Sequence, residues 1–398
     1  MTISKKSIRN INLQSKTVLL RVDYNVPFDP KTREILDLTR IISTIPTIDF
    51  LLKNNCKIII CSHFGRPKGE FNEELSLHPI RQILSEILEK QIGFISYPID
   101  ASVFKRISEM PQNNILMLEN LRFHKEEEEN DTEFSKLLSS LCDIYVNDAF
   151  GASHRSHSSI SGIPKFVPSV AGLLLEKEIE ELSSITDTPK TPFTAILGGA
   201  KVSDKIKVVE NLLPKSDNIL FGGGMAATFL LSQNVEVGKS IVEPDLIDFC
   251  AQMISKTKID NSNHLCFPHD VVVGKDFNKD TQFRICSITD IIADEMILDI
   301  GPKTIAHYES IIENSSTILW NGPMGIYEWE NFSNGTRQIA KSVAISSAKS
   351  IIGGGSTVDA SKHFQVQEKI SHISTGGGAS LEFLEGKQLP GIAVLQDK

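Results

Sequence analysis

Short apolar runs of strand length alternate with segments of helical periodicity along nearly the whole chain. Strands are predicted at residues 18–22, 58–61, 115–118 and 144–146 in the first half, and at 194–197, 218–221, 297–299, 318–320, 350–352 and 371–374 in the second. Helical patterns lie between them, at 38–52, 80–88, 134–141, 245–254 and 336–343. This alternation predicts an α/β fold with two Rossmann-like, three-layer domains, in which helices cover both faces of a parallel sheet.

An amphipathic helix marks the boundary between the two halves. Residues 173–185 carry apolar side chains at the helical period with acids between them, and a segment rich in Thr and Pro follows, ending at Pro192. We therefore predict a first domain over residues 1–172, a hinge helix and linker over 173–192, and a second domain over 193–388.

The two halves differ in the chemistry that they can offer. Nine of the eleven arginines precede the boundary, whereas every Gly-Gly step follows it. Arginine binds carboxylate and phosphate bidentately, and glycine lets backbone N–H groups approach phosphate at the start of a helix. The pattern predicts an anionic small molecule on the first domain and a nucleotide on the second.

Polar clusters follow four predicted strands of the first half, at the carboxyl ends where open α/β sheets bind ligands. They contain Asp23, Tyr24 and Asn25; His63, Phe64, Gly65 and Arg66; Arg122; and residues 147–151. Arg40 lies on the first predicted helix. Arg155 stands between His154 and His157, which lack a third metal ligand at a suitable spacing, so we expect Arg155 to bind an anion with the histidines as supports.

Glycine-rich turns follow strands of the second half. The turn at 198–199 leads into Lys201 and Lys205, one helical turn apart, and further turns lie at 222–224, 353–355 and 376–378. No segment matches a P-loop. The turn at Gly222 matches the G-x-G-x-x-A pattern of dinucleotide-binding folds, but the repetition of such turns favours several backbone cradles for phosphate groups.

The segment 320–329 suits a nucleoside. It joins two tryptophans and turn-forming residues with Asn321 and Glu328. An apolar wall can stack a base, and a carboxylate can bind the ribose hydroxyls. Two core tryptophans flanking a turn are the alternative interpretation for Trp320 and Trp329 themselves.

Composition and charge exclude several classes of function. The net charge of -9, without a dense Lys/Arg run, argues against a nucleic-acid partner. The apolar runs are too short for a membrane span, and the first residues lack the pattern of a secretory signal, so the predicted location is the cytoplasm. The six cysteines have no metal-site spacing. The acidic run at 126–129 predicts a solvated loop or helix start.

Six segments, taken in order, resemble phosphoglycerate kinase. They are RVDYNVP (21–27), HFGRP (63–67), ENLRF (119–123), GGAKVSDK (198–205), WNGPMGIYEW (320–329) and STGGGASLE (374–382), and the resemblance covers essentially the entire chain. It implies reversible transfer of a phosphoryl group from 1,3-bisphosphoglycerate to ADP, giving 3-phosphoglycerate and ATP, with Mg²⁺. It also implies a monomer that closes around the hinge helix, and a tail, residues 389–398, that returns to the first domain.

The same resemblance assigns roles to single residues. Asp23, Asn25, His63, Arg66, Arg122 and Arg155 hold 3-phosphoglycerate, and their segments also bring Tyr24, Phe64 and Gly65 to the substrate. Lys201, Lys205, Asn321, Glu328 and the turn residues Gly199, Gly222, Gly223, Gly354, Gly355, Ser356 and Thr357 hold the adenine nucleotide. The catalytic groups are Arg40, from the first domain, and Lys201 with the N–H groups near Gly355 and Gly378, from the second.

The chain departs from the family pattern at the metal. It has Ser356 where the family commonly has an aspartate near Mg²⁺. Because a hydroxyl is a weaker ligand for a hard cation than a carboxylate, we expect Mg²⁺ to rest mainly on the nucleotide phosphates and water. Whether Asp359, three residues later, substitutes for the missing carboxylate stays open.

Two alternative functions remain at this stage. A nucleotide-binding protein without turnover rests on Ser356, and an NAD-dependent oxidoreductase rests on the Gly222 turn alone. Neither explains the arginines of the first half.

Overall fold

The computed structural model describes residues 4–29, 31–99, 102–260 and 264–398. Its strands are β1 (Thr17–Arg21), β2 (Lys57–Cys61), β3 (Ile92–Ile95), β4 (Ile115–Leu118), β5 (Ile144–Asn147), β6 (Ser169–Ala171), β7 (Phe193–Leu197), β8 (Asn218–Phe221), β9 (His264–Cys266), β10 (Asp270–Gly274), β11 (Phe283–Ser287), β12 (Met296–Ile300), β13 (Thr317–Asn321), β14 (Lys349–Ile352) and β15 (His372–Ile373). Its α-helices are α1 (Thr39–Ile42), α2 (Ile45–Lys53), α3 (His78–Ile87), α4 (Ser102–Glu109), α5 (Lys125–Glu129), α6 (Thr132–Ser139), α7 (Leu173–Thr186), α8 (Ile206–Leu212), α9 (Gly223–Leu231), α10 (Ile247–Asp260), α11 (Pro302–Glu313), α12 (Asn334–Ile345), α13 (Gly355–His363), α14 (Gly378–Leu384) and α15 (Pro390–Ala393).

The α/β fold predicted from the sequence is confirmed. The first six strands form one sheet in the order β3-β4-β2-β1-β5-β6, and every pairing in it is parallel. A second six-stranded sheet has the order β15-β14-β13-β7-β8-β9 and is also parallel throughout. Each predicted strand coincides with one of the observed ones. Within the described ranges, no helix has the length and apolar character needed to cross a membrane.

A small antiparallel sheet was not predicted. Strands β11, β10 and β12 pair in that order, and residues 297–299, which were predicted as a parallel strand, lie in β12 of this sheet. Strand β11 exposes Phe283, Arg284 and Ile285 together, so its apolar residues do not mark a buried face.

The first predicted helix, over residues 38–52, is in fact two helices. Helix α1 ends at Ile42, and α2 begins at Ile45 with Pro46 in its first turn. Proline has no N–H to donate, so a helix accepts it in the first turn, where that N–H would have no partner. The break therefore falls just before Pro46.

The chain forms two compact units. Described residues up to Glu180, together with Gln388–Lys398, make up the first unit, and Glu181–Lys387 make up the second. The C-terminal residues are bonded within the first unit: Lys398 N donates to Ser4 O at 3.0 Å, and Asn147 Nδ2 donates to Gly391 O at 2.9 Å. The tail thus reaches the carboxyl end of β5.

A buried carboxylate binds the first turn of α7. Asp148, directly after β5, accepts hydrogen bonds at Oδ1 from Leu174 N at 2.9 Å and from Leu175 N at 3.1 Å. A Cβ at Gly172 would lie 2.2 Å from that oxygen, so the approach requires glycine there. Burial raises the pKa of Asp148 to about 7, although the bonds to α7 act in the opposite direction.

We expect Asp148→Asn to stabilise the protein relative to the parent, and increasingly so as the pH rises from the ordinary pKa of 3.8 to about 7. A raised pKa means that the folded protein holds the proton more tightly than the unfolded chain, so the parent loses stability as Asp148 ionises over this window. The difference in the free energy of unfolding should grow by a few kcal/mol, at about 1.4 kcal/mol per pKa unit. Urea denaturation at several pH values measures it.

The control for this change is Asp143→Asn, an exposed carboxylate five positions earlier. Its difference from the parent should not grow over the same pH window. Equal trends for the two variants would contradict a buried charge at Asp148.

Candidate functional site

Four neighbouring strands of the first sheet end in the polar segments singled out by the sequence. In the order β4-β2-β1-β5 these strands are adjacent and parallel, so their carboxyl ends lie along one edge. We call the residues at this edge the arginine rim: Asp23, Asn25, Arg40, His63, Arg66, Arg122 and Arg155.

Arg40 is held in place by the segment after β1. Its Nη1 lies 2.9 Å from Asp23 Oδ2 and donates to the carbonyl oxygen of Asn25, also at 2.9 Å. The side-chain oxygen of Asn25 in turn accepts a hydrogen bond from Gly65 N at 2.9 Å. The rim segments after β1 and β2 are therefore bonded to each other, and Arg40 is oriented before any ligand binds.

The other rim arginines differ in exposure. Arg122 is half-buried: its Nη1 donates to Gly65 O at 2.7 Å, and its Nε lies 3.1 Å from Glu128 Oε1. Arg66 and Arg155 are exposed. The rim thus combines fixed and solvent-accessible guanidinium groups, a suitable arrangement for a small molecule with more than one negative charge.

His63 is neutral in this setting. It is buried, and its Nδ1 lies 3.2 Å from Nη2 of Arg21 and 3.9 Å from Asp23 Oδ1. Burial, reinforced by the positive charges of Arg21, Arg122 and Arg40, lowers the pKa of His63 well below its usual value. It can therefore offer the rim a hydrogen bond without adding a charge.

Two predicted substrate residues do not reach the rim with their side chains. Tyr24 is fully buried, with its hydroxyl 2.9 Å from that of Thr44, and Phe64 packs in the core against Phe28 at 5.0 Å between ring centroids. These rings stabilise the first unit beneath the site. Gly65 takes part through its backbone alone.

In the second unit, the glycine turns meet at one edge of the second sheet, because β14, β13, β7 and β8 are adjacent and parallel there. Gly199 N donates to Pro323 O at 3.0 Å, Gly223 N to Met324 O at 2.8 Å, and Gly222 N to Leu197 O at 3.0 Å. A Cβ at Gly198 would lie 2.0 Å from Pro323 O. These glycines let three turns pack backbone against backbone.

The prediction that these turns cradle phosphate therefore needs correction. The N–H groups of Gly199, Gly222 and Gly223 are already bonded to protein carbonyls, so they are not available to a phosphate. The same bonds remove the basis for a dinucleotide turn at Gly222.

The two predicted lysines play different parts. Lys201 is exposed. Lys205 is buried, and its Nζ donates to the carbonyl oxygens of Gly198 and, at 2.8 Å, Asn321. Burial lowers the pKa of Lys205 to about 8. Lys205 thus fixes the ends of β7 and β13, and Lys201 is the lysine that a ligand can reach.

Open backbone donors occur at the starts of α13 and α14, which follow the adjacent strands β14 and β15. The capping positions, Gly354 and Gly377, have positive φ values of 90° and 53°, and neither helix has a side-chain cap. A Cβ at Gly355 or Gly378 would meet nothing within 4 Å. First-turn N–H groups have no partner inside a helix, so both starts attract anions.

Asn321 adds a donor beside the start of α13. Its Nδ2 is buried and has no hydrogen-bond partner among the described residues, and a Cβ at Gly354 would lie 3.2 Å from it. Thr357 is buried as well, but its hydroxyl accepts from Gly322 N at 2.6 Å and so serves the turn after β13. Ser356, which directly precedes Thr357 in the chain, is exposed.

A pocket of about 440 Å³ adjoins the glycine turns. Its wall is mostly apolar and is formed by Ile241, Phe277, Met296, Leu298, Ile326 and Trp329, together with the backbone of Gly199, Gly223 and Gly224. Glu328 also lines it. Of the two tryptophans considered from the sequence, Trp329 lines the pocket, whereas Trp320 is wholly buried and donates from Nε1 to Gly322 O at 2.9 Å.

Sequence reasoning missed several residues of these sites. Ile241 and Phe277 lie far from any recognised motif, and only the tertiary fold brings them to the pocket.

Sequence reasoning also missed Arg21 and Glu127, which lie behind the rim and are both fully buried. The interpretation of residues 126–129 as solvated is wrong for Glu127, because α5 turns one of its four acids inward. The burial of Arg21 could have been suspected from the sequence, because this charged residue ends an apolar strand.

The donor set for a cation is sparse. In the parts of the chain that the structure describes, no group of three or more His, Cys, Asp or Glu side chains could hold a metal ion. Ser356 and Asp359 are exposed on the first turns of α13, at a spacing that places them on one face of the helix. One hydroxyl and one carboxylate fit a cation that arrives already bound to phosphate better than a free ion.

Comparisons with known proteins agree on one family. The family model for phosphoglycerate kinase matches residues 8–387. Curated phosphoglycerate kinases from Finegoldia magna and Dictyoglomus turgidum are 47% and 48% identical, over 100% of both chains in each pair. Solved structures of the enzyme from Coxiella burnetii (39% identity, TM-score 0.90) and Pyrococcus horikoshii OT3 (32%, 0.80) each match over 98% of both chains.

We expect Gly198→Ala and Gly355→Ala to separate packing from ligand binding. At Gly198 the new methyl group would meet Pro323 O, so the free energy of unfolding should fall by at least about 2 kcal/mol. At Gly355 the methyl group meets nothing within 4 Å, so the free energy of unfolding should change by less than about 1 kcal/mol. ADP binding should weaken, because the methyl group enters the space above the start of α13.

Urea denaturation and calorimetric titration with ADP measure the two effects. Tight ADP binding by Gly355→Ala, equal to that of the parent, would show that the start of α13 does not contact the nucleotide.

Proposed function

The chain belongs to the phosphoglycerate kinase family, and from this premise we propose that the arginine rim binds 3-phosphoglycerate and that the second unit binds the adenine nucleotide. The enzyme is a phosphotransferase that moves a phosphoryl group between 1,3-bisphosphoglycerate and ADP. The observation that carries the residue-level proposal is the convergence of four guanidinium groups and a neutral histidine on one sheet edge.

The chemistry of 3-phosphoglycerate fits the rim. The molecule has a carboxylate and a phosphate, and arginine forks bind both groups. The exposed Arg66 and Arg155, with the half-buried Arg122, can meet these two ends, while Asp23 and Asn25 can bind the hydroxyl. Tyr24 and Phe64 support the rim from the core.

Two parts of the second unit suit the nucleotide: a pocket for the adenosine, and a set of donors for the phosphates. The apolar pocket with Trp329 suits adenine, and Glu328 suits the ribose hydroxyls. The phosphates would reach Lys201, Asn321 Nδ2 and the open first turn of α13 at Gly355 and Ser356. Lys205 contributes by holding the turns in place.

Phosphoryl transfer needs alignment and charge stabilisation rather than a nucleophilic side chain. Arg40 from the first unit, and Lys201 with the N–H groups of Gly355 and Gly378 from the second, are the groups that we propose meet the transferred phosphoryl oxygens. Because they belong to different units, the proposal requires the units to close about α7 during turnover, which would also keep water from the acyl phosphate.

The proposal extends to the metal and to the setting of the enzyme. When bound, Mg²⁺ neutralises negative charge on the nucleotide phosphates. The nucleotide phosphates and water would supply most of its ligands, and Ser356, with Asp359 on the same helical face, would add a hydroxyl. As the family resemblance implies, we further propose a monomeric enzyme of the cytoplasm that works without a nucleic-acid or membrane partner.

We expect Arg40→Ala to lower kcat by about 10²–10³ while ADP binding stays unchanged, because the lost guanidinium stabilises charge only during transfer. The assay supplies 3-phosphoglycerate, ATP and Mg²⁺ and follows NADH oxidation through added glyceraldehyde-3-phosphate dehydrogenase. Calorimetry gives the ADP affinity.

The matched control is Arg9→Ala, an arginine of the same unit whose guanidinium lies 3.2 Å from Glu176, outside the rim. It should retain parental turnover. If Arg40→Ala also kept full kcat, both the assignment of Arg40 and the need for closure would be refuted.

We expect Ser356→Asp to lower the Mg²⁺ concentration needed for half-maximal rate, because a carboxylate binds a hard cation better than a hydroxyl does. Ser356→Ala serves as the comparison and should need at least as much Mg²⁺ as the parent. A Mg²⁺ dependence that is the same in the parent and in Ser356→Asp would place Ser356 away from the metal.

A further inference from the structure

A positive charge is buried directly behind the arginine rim. Arg21 ends β1 and is fully buried. Its Nε donates to Ser159 Oγ at 2.8 Å, Nη1 donates to the carbonyl oxygen of Val22, and Nη2 lies 3.2 Å from His63 Nδ1. All three partners are neutral. A buried guanidinium needs a counter-charge, so one must lie beyond these contacts.

Glu127 supplies that counter-charge through a single hydroxyl. Its Oε1 accepts from Ser159 Oγ at 2.6 Å and its Oε2 from Ser159 N at 2.9 Å. The Ser159 hydroxyl therefore accepts from Arg21 and donates to Glu127. Burial raises the pKa of Glu127, and the charge of Arg21 opposes this shift. His157 Nδ1 also lies 3.8 Å from Oε1.

This chain of bonds decides which nitrogen of His63 carries the proton. A guanidinium can only donate hydrogen bonds, so the nitrogen that faces Arg21, Nδ1, must accept. A neutral imidazole with an accepting Nδ1 has its proton on Nε2. The other charged or titratable groups that face His63 are Asp23, Arg40, Arg122 and His157. Arg40, Arg122 and His157 all lower the pKa of His63, so they favour its neutral form.

We propose that Glu127 is a positioning residue for the substrate: through Ser159 it holds Arg21 against His63, and His63 thereby presents a neutral Nε2–H donor to the bound anion. The inference rests on the proposed function, in which the rim binds 3-phosphoglycerate. Glu127 itself touches no substrate, since it is fully buried.

The test compares Glu127→Gln with Glu129→Gln. Both substitutions remove one negative charge from α5, but Glu129 is exposed and pairs with Lys125 at 3.1 Å. In Glu127→Gln we expect the KM for 3-phosphoglycerate to rise about tenfold, because a charge-assisted hydrogen bond to the substrate loses its alignment. The KM for ATP and kcat should stay within about twofold of the parent, and Glu129→Gln should match the parent in all three.

A spectroscopic measurement separates positioning from general damage. Nitrogen-15 NMR of histidine-labelled protein, without substrate, distinguishes the two tautomers of His63. The parent and Glu129→Gln should show a proton on Nε2 only. In Glu127→Gln the uncompensated guanidinium is released from Nδ1, so a mixture of tautomers should appear.

Ser159→Ala keeps the proposal testable if Glu127→Gln does not fold. It removes the bridging hydroxyl and leaves both charges, and we expect the same tautomer mixture with a smaller rise in KM. A folded variant with unchanged KM, or with a raised KM and His63 still purely Nε2-protonated, overturns the proposal. A tautomer mixture with an unchanged KM overturns it too.

Failure of the proposed function would look different. If the parent and Glu129→Gln gave no turnover with 3-phosphoglycerate and ATP, the substrate assignment and this inference would fall together. Turnover in the parent with no effect of Glu127→Gln removes the inference alone.

Discussion

Both candidate sites depend on the parallel pairing of strands that lie far apart in the chain. In the first sheet, β1 pairs with β2 and with β5, and in the second, β13 pairs with β7 and with β14. In a parallel ladder every strand ends at the same edge, so the segments that follow these strands become neighbours. An antiparallel pairing would send alternate segments to opposite edges and would scatter the same residues.

The two edges use this common geometry in opposite ways. At the first, long side chains carry the chemistry, and they are oriented by bonds within the rim: Arg40 to the Asp23 carboxylate, and Arg122 to the Gly65 carbonyl oxygen. At the second, the backbone of the glycine turns takes a larger part, beside the side chains of Lys201 and Asn321. Some glycines close the turns by packing against carbonyls, as at Gly198, and others leave space above a helix start, as at Gly355. Glycine thus serves two different purposes within one sheet edge.

Buried charge connects the rim of the first unit to the structure beneath it. Arg21 and Glu127 form a buried pair through Ser159, and Asp148 binds the first turn of α7. Such groups are costly to bury, so each is tied to specific partners. The result is a rim in which Arg40, Arg122 and His63 are held by protein partners, while Arg66 and Arg155 are exposed.

The sequence by itself determined the α/β class, the position of most strands, the separation of arginine-rich and glycine-rich halves, and the family. Each of these depends on local periodicity or on contiguous motifs. It also singled out Arg40, His63, Arg122 and Lys201 as candidate site residues, and their roles remain proposals. It could not determine which side chains turn inward: Tyr24, Phe64 and Lys205 stand in motifs yet are buried, and Glu127 looked solvated within an acidic run. Nor could it find Ile241 and Phe277 in the pocket wall. Burial and contact depend on residues distant in sequence, and only the packing of helices and turns on the two sheets brings those residues together.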